Sequence, residues 1–420
     1  METLPKIFKI QQVFRTPRLD RIEEKIDDLL NRFQLSKKIK RGDRVALTAG
    51  SRGIRDQAQI FKIIIRRLKE QGARPLVIPC MGSHGGATSE GQRAVLHDLG
   101  ITEEAVGTPI ISSMEVQEIG CSRFGLPVLI DKDLCGVDKI IVVNRIKPHT
   151  HFQGTIEGGL TKMLVIGMGK HQGAQLAHQL AVRNGLLPVL LETASVVLKN
   201  LPIFFGLGII ENQYAETAFV ELIEPKSWIE TEAFLLKKAR RLVPSLPFNQ
   251  IDLLIVDQIG KNISGAGMDT KVIGRVPSLR KMKSLKPEIT RIFVRDLSDA
   301  THGNATGIGL ADFTTQRLVG KVDYQATHIN CMTAICPGDA KIPIFFETDR
   351  EALRTACLST GVLVPEDLRI VWIKNTSDLE YLFVSSAFLQ KVETSCRLKR
   401  VGGLFAIPFD RQGNLASPWS

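Results

Sequence analysis

The strongest constraint on the fold is a repeated order of short apolar run, glycine-bearing loop and helix-period segment in the N-terminal third of the chain. Residues 44–48 (Arg-Val-Ala-Leu-Thr) enter the turn Gly50-Ser51-Arg52-Gly53. Ile60, Ile63, Ile64, Arg67 and Leu68 then recur at spacings of three and four, the period of one helix face. The pattern stops at Gln71-Gly72, where glycine supplies a helix C-terminus. Residues 75–79 (Pro-Leu-Val-Ile-Pro) read as a buried strand leading into Met81-Gly82-Ser83-His84-Gly85-Gly86. Ser89-Glu90-Gly91-Gln92 has capping-box spacing for the next helix. A third strand over 139–143 ends in Asn144-Arg145-Ile146-Lys147-Pro148-His149-Thr150-His151. Such a rhythm builds a parallel sheet, and ligands bind at the carboxyl ends of its strands. All three loops lie there.

At 420 residues the chain exceeds what one hydrophobic core supports, so two domains are expected. A second rhythm begins at 251–256, followed by Asp257-Gln258-Ile259-Gly260-Lys261 and a glycine-rich loop to Gly267; 292–294 and 368–373 are further strand candidates. The polar, proline-containing stretch 243–249 divides the two. The expected class is therefore α/β: two α/β domains with largely parallel sheets and an active site in the cleft between them. The first spans 1–247, and the second, 248–420, closes the cleft.

The hydrophobic fraction of 44% suits a sizeable core, yet no apolar run approaches the roughly 18–20 residues of a membrane span. The first nine residues carry Glu2, Lys6 and Lys9 without an apolar segment behind a basic start, so no signal peptide is expected and the location is read as cytoplasmic. Seven cysteines, an odd number with no C-x-x-C pair, fit neither a disulfide framework nor a zinc ribbon. The net charge of +11 raises nucleic acid as a partner. Aromatic residues make up only 6%, so the stacking partners of a basic binding face are missing. No nucleic acid is expected; an anionic small molecule accounts for the basic bias.

Five of the eight histidines (84, 149, 151, 171, 178) lie in or beside glycine-rich segments. Imidazole titrates near neutral pH, so two of them can give and take a proton on opposite sides of one carbon. His97, inside a helix pattern, is read as structural. His171 and His178, seven apart, share a face of a continuous helix, but two turns separate them too far to chelate one ion, so at most one binds a metal directly. There is no H-E-x-x-H. Arg52, in its glycine-flanked turn, can grip a carboxylate with both arms; it equally fits a surface turn. Gln258 and Lys261 follow the first strand of the second domain. The loop 260–267 can cradle an anion but is not a Walker A loop, and no G-x-G-x-x-G or G-x-S-x-G motif is present. The loop 296–309 gathers Asp296, Asp299, His302 and Asn304 without a specific pattern.

Taken together, these residues resemble the nickel-pincer-nucleotide lactate racemase family and its wider group of hydroxyacid racemases and epimerases. The resemblance runs from about residue 45 to 270. It implies that Arg52 holds the substrate carboxylate, with Gln258-x-x-Lys261 beside the substrate. It implies that His84, 32 residues beyond Arg52, and His151, in His-Phe-Gln-Gly-Thr-Ile-Glu-Gly-Gly, are the acid/base pair. Lys162 lies near the family's covalent cofactor anchor, with Lys170 as a rival, and His178, sixteen residues beyond Lys162, matches the nickel ligand. The family pattern places its lysine one residue closer to Gly158-Gly159 than Lys162 is. Ala49 stands where an aspartate is expected, and Asp257 where an aromatic is expected before Gln258. The implied activity is inversion of a 2-hydroxy acid by hydride transfer with a nickel pincer nucleotide; the alternatives are an epimerase of a larger sugar or polyol acid with the same cofactor and a non-catalytic protein that binds an anionic metabolite. The implied partners are the hydroxy acid and the proteins that make the cofactor, with no membrane.

Overall fold

The computed structural model describes residues 4–150, 152–276, 286–416 and 418–419. The chain divides into two compact units, Thr16–Val243 and Met1–Arg15 together with Pro244–Ser420. The first strand, β1 (Ile7–Gln12), belongs to the latter.

The unit Thr16–Val243 contains β2 (Arg44–Ala49), β3 (Arg74–Pro79), β4 (Val116–Cys121), β5 (Pro127–Asp131), β6 (Lys139–Arg145), β7 (Ile203–Glu211) and β8 (Thr217–Ile223). Its main sheet has the order β3-β2-β6-β7-β8, parallel except for the antiparallel edge strand β8; β4 and β5 form a separate hairpin. Successive side chains of a strand point to opposite faces. Ala46, Ile140 and Val142 join one core with the helix Leu186–Asn200, and Val45, Leu47, Ile141 and Val143 join another with the helices Ile22–Arg32 and Gln57–Glu70. With both faces covered, the strands are apolar throughout rather than alternating, which is why they stand out in the sequence. The helix Gln57–Glu70 buries Ile60, Ile63, Ile64 and Leu68, as their spacing predicts. The next helix, Ser89–Asp98, is capped one residue earlier than the capping-box spacing predicts. Thr88 Oγ1 accepts from Gly91 N–H at 3.0 Å, while Ser89 Oγ donates to the Ser112 carbonyl.

This strand order positions the site. β3 lies on one side of β2 and β6 on the other, so the connections leaving β2 and β6 go opposite ways and a crevice opens at their carboxyl ends. The loops carrying Arg52 and 146–150 border it.

The second unit adds β9 (Gln250–Ile259), β10 (Glu288–Leu297), β11 (Phe313–Thr315), β12 (Ile344–Phe346), β13 (Ile370–Ile373), β14 (Tyr381–Ser385) and β15 (Leu398–Phe405) to β1. The order is β12-β11-β10-β9-β13-β14-β1-β15, parallel from β12 to β13 and antiparallel beyond. The sequence expectation ran the first domain from residue 1. Residues 7–12 instead pair with β14 and β15 because Phe8 and Ile10 complete one core of this sheet and Ile7 the other. Among the described residues no helix is long and apolar enough to cross a membrane.

Ile10 is fully buried. Ile10→Ala should cost about 2–5 kcal/mol, read as lost amide protection in β14 and β15 by hydrogen exchange. Unchanged protection there would remove β1 from that core.

Candidate active site at the switch point of the first sheet

The loops after β2, β3 and β6 converge on the glycine-broken segment 158–170. This segment forms a short helix, Leu160–Lys162, a π-helical stretch, Met163–Gly167, and the helix Lys170–Asn184. Gly82 N–H donates to the Gly167 carbonyl at 3.3 Å, Asn144 Nδ2 donates to the Gly159 carbonyl at 2.9 Å, and a Cβ on Gly50 would meet Met163 at 3.1 Å. The loop 82–87 runs through left-handed conformations at Gly82, Gly85, Gly86 and Ala87. A side chain at Gly85 would stand 2.5 Å from the backbone of Gly91, so glycine is required there. His84 is exposed in this loop, and Lys162 and His178 are half-buried on the segment and its helix. The first unit thus brings together the loops of Arg52 and His84 with the segment of Lys162. His151 lies outside the described residues.

Lys170 is not available as an anchor. It is wholly buried with φ +51°, and its ammonium meets the Asp131 carboxylate at 2.9 Å, the Pro79 carbonyl at 2.6 Å and Gln92 Oε1 at 2.9 Å. An ammonium has three donors, and all are engaged. Burial still holds the Asp131 carboxyl above its ordinary range, and it pushes the neighbouring Cys80 thiol strongly upward. Gln92, also buried, donates from Nε2 to the carbonyls of Gly82 at 2.9 Å and His84 at 3.4 Å.

Lys162 has a different neighbourhood. Its Nζ lies 2.6 Å from His149 Nε2. The residue before it, Thr161, donates from N–H (2.9 Å) and Oγ1 (2.5 Å) to Glu232 Oε2. Glu232 reaches in from the helix Trp228–Arg240 and is buried, which pushes its carboxyl up to about 7 against the hydrogen bonds from Thr161. A Cβ on Gly159 would fall 2.1 Å from Glu232 Oε1. His171 Nδ1 is buried without a hydrogen-bond partner among the described residues.

Arg52 is half-buried near Arg145, and desolvation followed by that like charge holds its guanidinium below the ordinary value. Arg145 itself pairs with Glu211, which also accepts the Arg55 N–H at 3.0 Å. Two guanidiniums at adjacent strand ends favour an anion. Among the described residues no group of three or more His, Cys, Asp or Glu is placed to hold a metal ion.

In the second unit, Gln258 is exposed near the carboxyl end of β9, and Lys261 Nζ donates to the Gly265 carbonyl at 2.9 Å. Asp257, on the other face of β9, accepts from Trp372 Nε1 at 2.5 Å, Arg295 at 2.7 Å and Trp419. It is an anchor of the sheet. In the 296–309 loop, Asp296 pairs with Arg317 and Lys321, Asn304 Oδ1 accepts from Thr306, and His302 is exposed with φ +49°. His97, read as structural, is exposed on the helix Ser89–Asp98. Sequence reasoning assigned no site role to Gln92, Asp131, Glu157 or Glu232, whose partners are settled by the fold.

Residues 5–186 match the family model described as the lactate racemase N-terminal domain. Among solved structures the fold is similar to that of the lactate racemase apoprotein from Thermoanaerobacterium thermosaccharolyticum, with TM-score 0.53, 13% identity, and 88% of this chain and 94% of that chain covered. It is equally similar, at TM-score 0.53 and 12% identity, to a structural-genomics crystal structure of a Thermotoga maritima protein, covering 85% of this chain and 97% of that one. No curated protein matches the chain in sequence.

Glu232 gives the site a pH signature. Its folded-state value of about 7 lies above the ordinary 4.5, so between these the folded chain holds a proton that the unfolded chain has released. The contribution is complete below about 4.5 and is lost as pH rises through about 7. In Glu232→Gln, urea midpoints should lose this decline across that window. An unchanged slope would remove the assignment.

Proposed function

We propose that the chain, whose residues 5–186 match the lactate racemase N-terminal domain model, is an isomerase, a racemase or epimerase that inverts a 2-hydroxy acid with a nickel pincer nucleotide. The observation that supports this most is the convergence of the Arg52 loop, the His84 loop and the Lys162 segment at the switch-point crevice of one sheet.

The side chains suit the group. Lys162 offers an amine on a rigidly capped turn for covalent attachment, and His178 offers an imidazole on the helix that follows. When bound, the group supplies an electron-poor ring that accepts hydride.

The chain's own residues do the rest. Arg52 binds the substrate carboxylate, and burial strengthens that contact by removing competing water. His84 takes the hydroxyl proton on one face; His151 returns one on the other, and the two exchange roles with direction. The loop that carries His84 is held by Gln92 through the carbonyls of residues 82 and 84. The hydroxy acid is the small-molecule partner. The basic balance of the chain suits an anionic substrate. The second reading is an epimerase of a larger sugar or polyol acid with the same cofactor.

Protein made in cells that synthesise the cofactor should contain nickel and carry a covalent mass addition at Lys162, read by metal analysis and peptide mass spectrometry. His84→Ala and His151→Ala should keep both while losing about 10²–10⁴-fold in turnover. Neither nickel nor an addition in the parent protein would overturn the proposal.

A further inference from the structure

Gln92 shows how a buried glutamine is satisfied in the first unit: its Nε2 donates to two carbonyls and its Oε1 accepts from Lys170. Gln57 is also buried, 2% exposed. Among the described residues neither its Nε2 nor its Oε1 has a hydrogen-bond partner. The same holds for the buried Nε of Arg145. A buried donor or acceptor left unmade costs free energy, and folded proteins keep few of them.

The fold brings these groups to one place. Gln57 opens the helix Gln57–Glu70, three and four residues before Ile60 and Phe61, so it shares their face. Ile60 and Phe61 join the same core as Val143. Arg145, two residues beyond Val143 on β6, projects from the same side of the sheet. One carboxylate ties the two elements together. Glu211, at the end of β7, pairs with Arg145 and accepts the N–H of Arg55, two residues before Gln57, at 3.0 Å. Asp56, at the N-cap, makes no side-chain hydrogen bond to its own helix. Its Oδ2 accepts from Thr217 Oγ1 at 2.6 Å instead, which fixes the helix start against β8. An amide and one guanidinium N–H, both orphaned, thus stand at the carboxyl ends of β6 and β7, near the loop of Arg52.

Charge and donor pattern select the ligand. Glu211 already occupies this corner, so a second carboxylate is unfavourable there. Gln57 offers donors and an acceptor side by side, and Arg145 Nε adds another donor. Hydroxyl groups, each of which donates and accepts, match that set. We propose that Gln57 and Arg145 bind the hydroxyls on the tail of the substrate, which is a 2-hydroxy acid with further hydroxyls along its chain. A short acid such as lactate leaves both groups unpaired. A site built to hydrogen-bond a hydroxyl rejects the analogue that lacks it by up to about 10⁴–10⁵-fold. This deepens the proposed function, on which it rests for the carboxylate at Arg52; the tail subsite itself stands on the orphaned groups.

The test is calorimetric titration of the full-length chain, made in cells that synthesise the cofactor. The probes are gluconate, mannonate, galactonate and talonate. The controls are lactate and 2-hydroxyhexanoate, which has the same chain length without the extra hydroxyls. One or more of the four probes should bind at least about a hundredfold more tightly than either control. Gln57→Leu should bring that probe down to the level of 2-hydroxyhexanoate. The ligand-free variant should keep or raise its urea midpoint, because an apolar side chain of similar size replaces an unpaired amide. A smaller preference in the parent, or its survival in Gln57→Leu, would overturn the proposal. A variant that unfolds or loses midpoint would also overturn it, by making the amide a structural group. A preference abolished by Gln57→Leu in protein without nickel or a mass addition would remove the cofactor and uphold the subsite. Nickel and the addition present, with no probe preferred, would do the reverse.

Discussion

The site-bearing unit depends on one wholly buried ion pair, Lys170 with Asp131. Taking two charges out of water costs several kcal/mol for each ion, and this pair persists because every ammonium proton has an acceptor. Those acceptors come from separate elements: Asp131 ends β5, Pro79 ends β3, and Gln92 lies on the helix Ser89–Asp98. Lys170 starts the helix that carries His178, and Gln92 grips the loop that carries His84. One polar network therefore sets the proposed acid/base loop and the proposed metal-ligand helix in register, inside a unit that is otherwise held by non-directional apolar packing.

Around that network the unit divides its two lysines by environment. Lys170 is locked, and its charge is fully engaged. Lys162, on the turn fixed by Glu232, faces an imidazole. The π-helical stretch between them is of the kind that often marks functional sites. Here it lets Gly167 approach Cys80 so closely that a Cβ would stand 2.6 Å from the Cys80 carbonyl. The same backbone contacts carry the carboxyl ends of β2 and β3 to the segment that bears Lys162.

Much of this was legible in the sequence, for a physical reason. A parallel sheet covered on both faces writes its strands as continuous apolar runs, so 44–48, 75–79, 139–143 and 251–256 coincide with β2, β3, β6 and β9. Glycines in left-handed loops mark the strand ends. What the sequence does not show is partnership between distant positions. β1 lies more than two hundred residues from the strands it completes. Lys162 and Lys170 look alike as letters, and only the fold shows that Lys170 meets Asp131 and that Lys162 lies beside His149. Glu232 carries no motif, because a buried carboxyl group that caps another element's backbone is recognised only by what it touches.

The most direct measurement is the fate of the hydrogen on the inverted carbon. A 2-hydroxy acid deuterated at that carbon, turned over in ordinary water by cofactor-loaded protein, should give inverted product that keeps its deuterium, with a slower rate than the unlabelled acid. The histidines then move only the hydroxyl proton. Product that has exchanged deuterium for solvent hydrogen would mean that a base removes a proton from carbon, and would contradict the account.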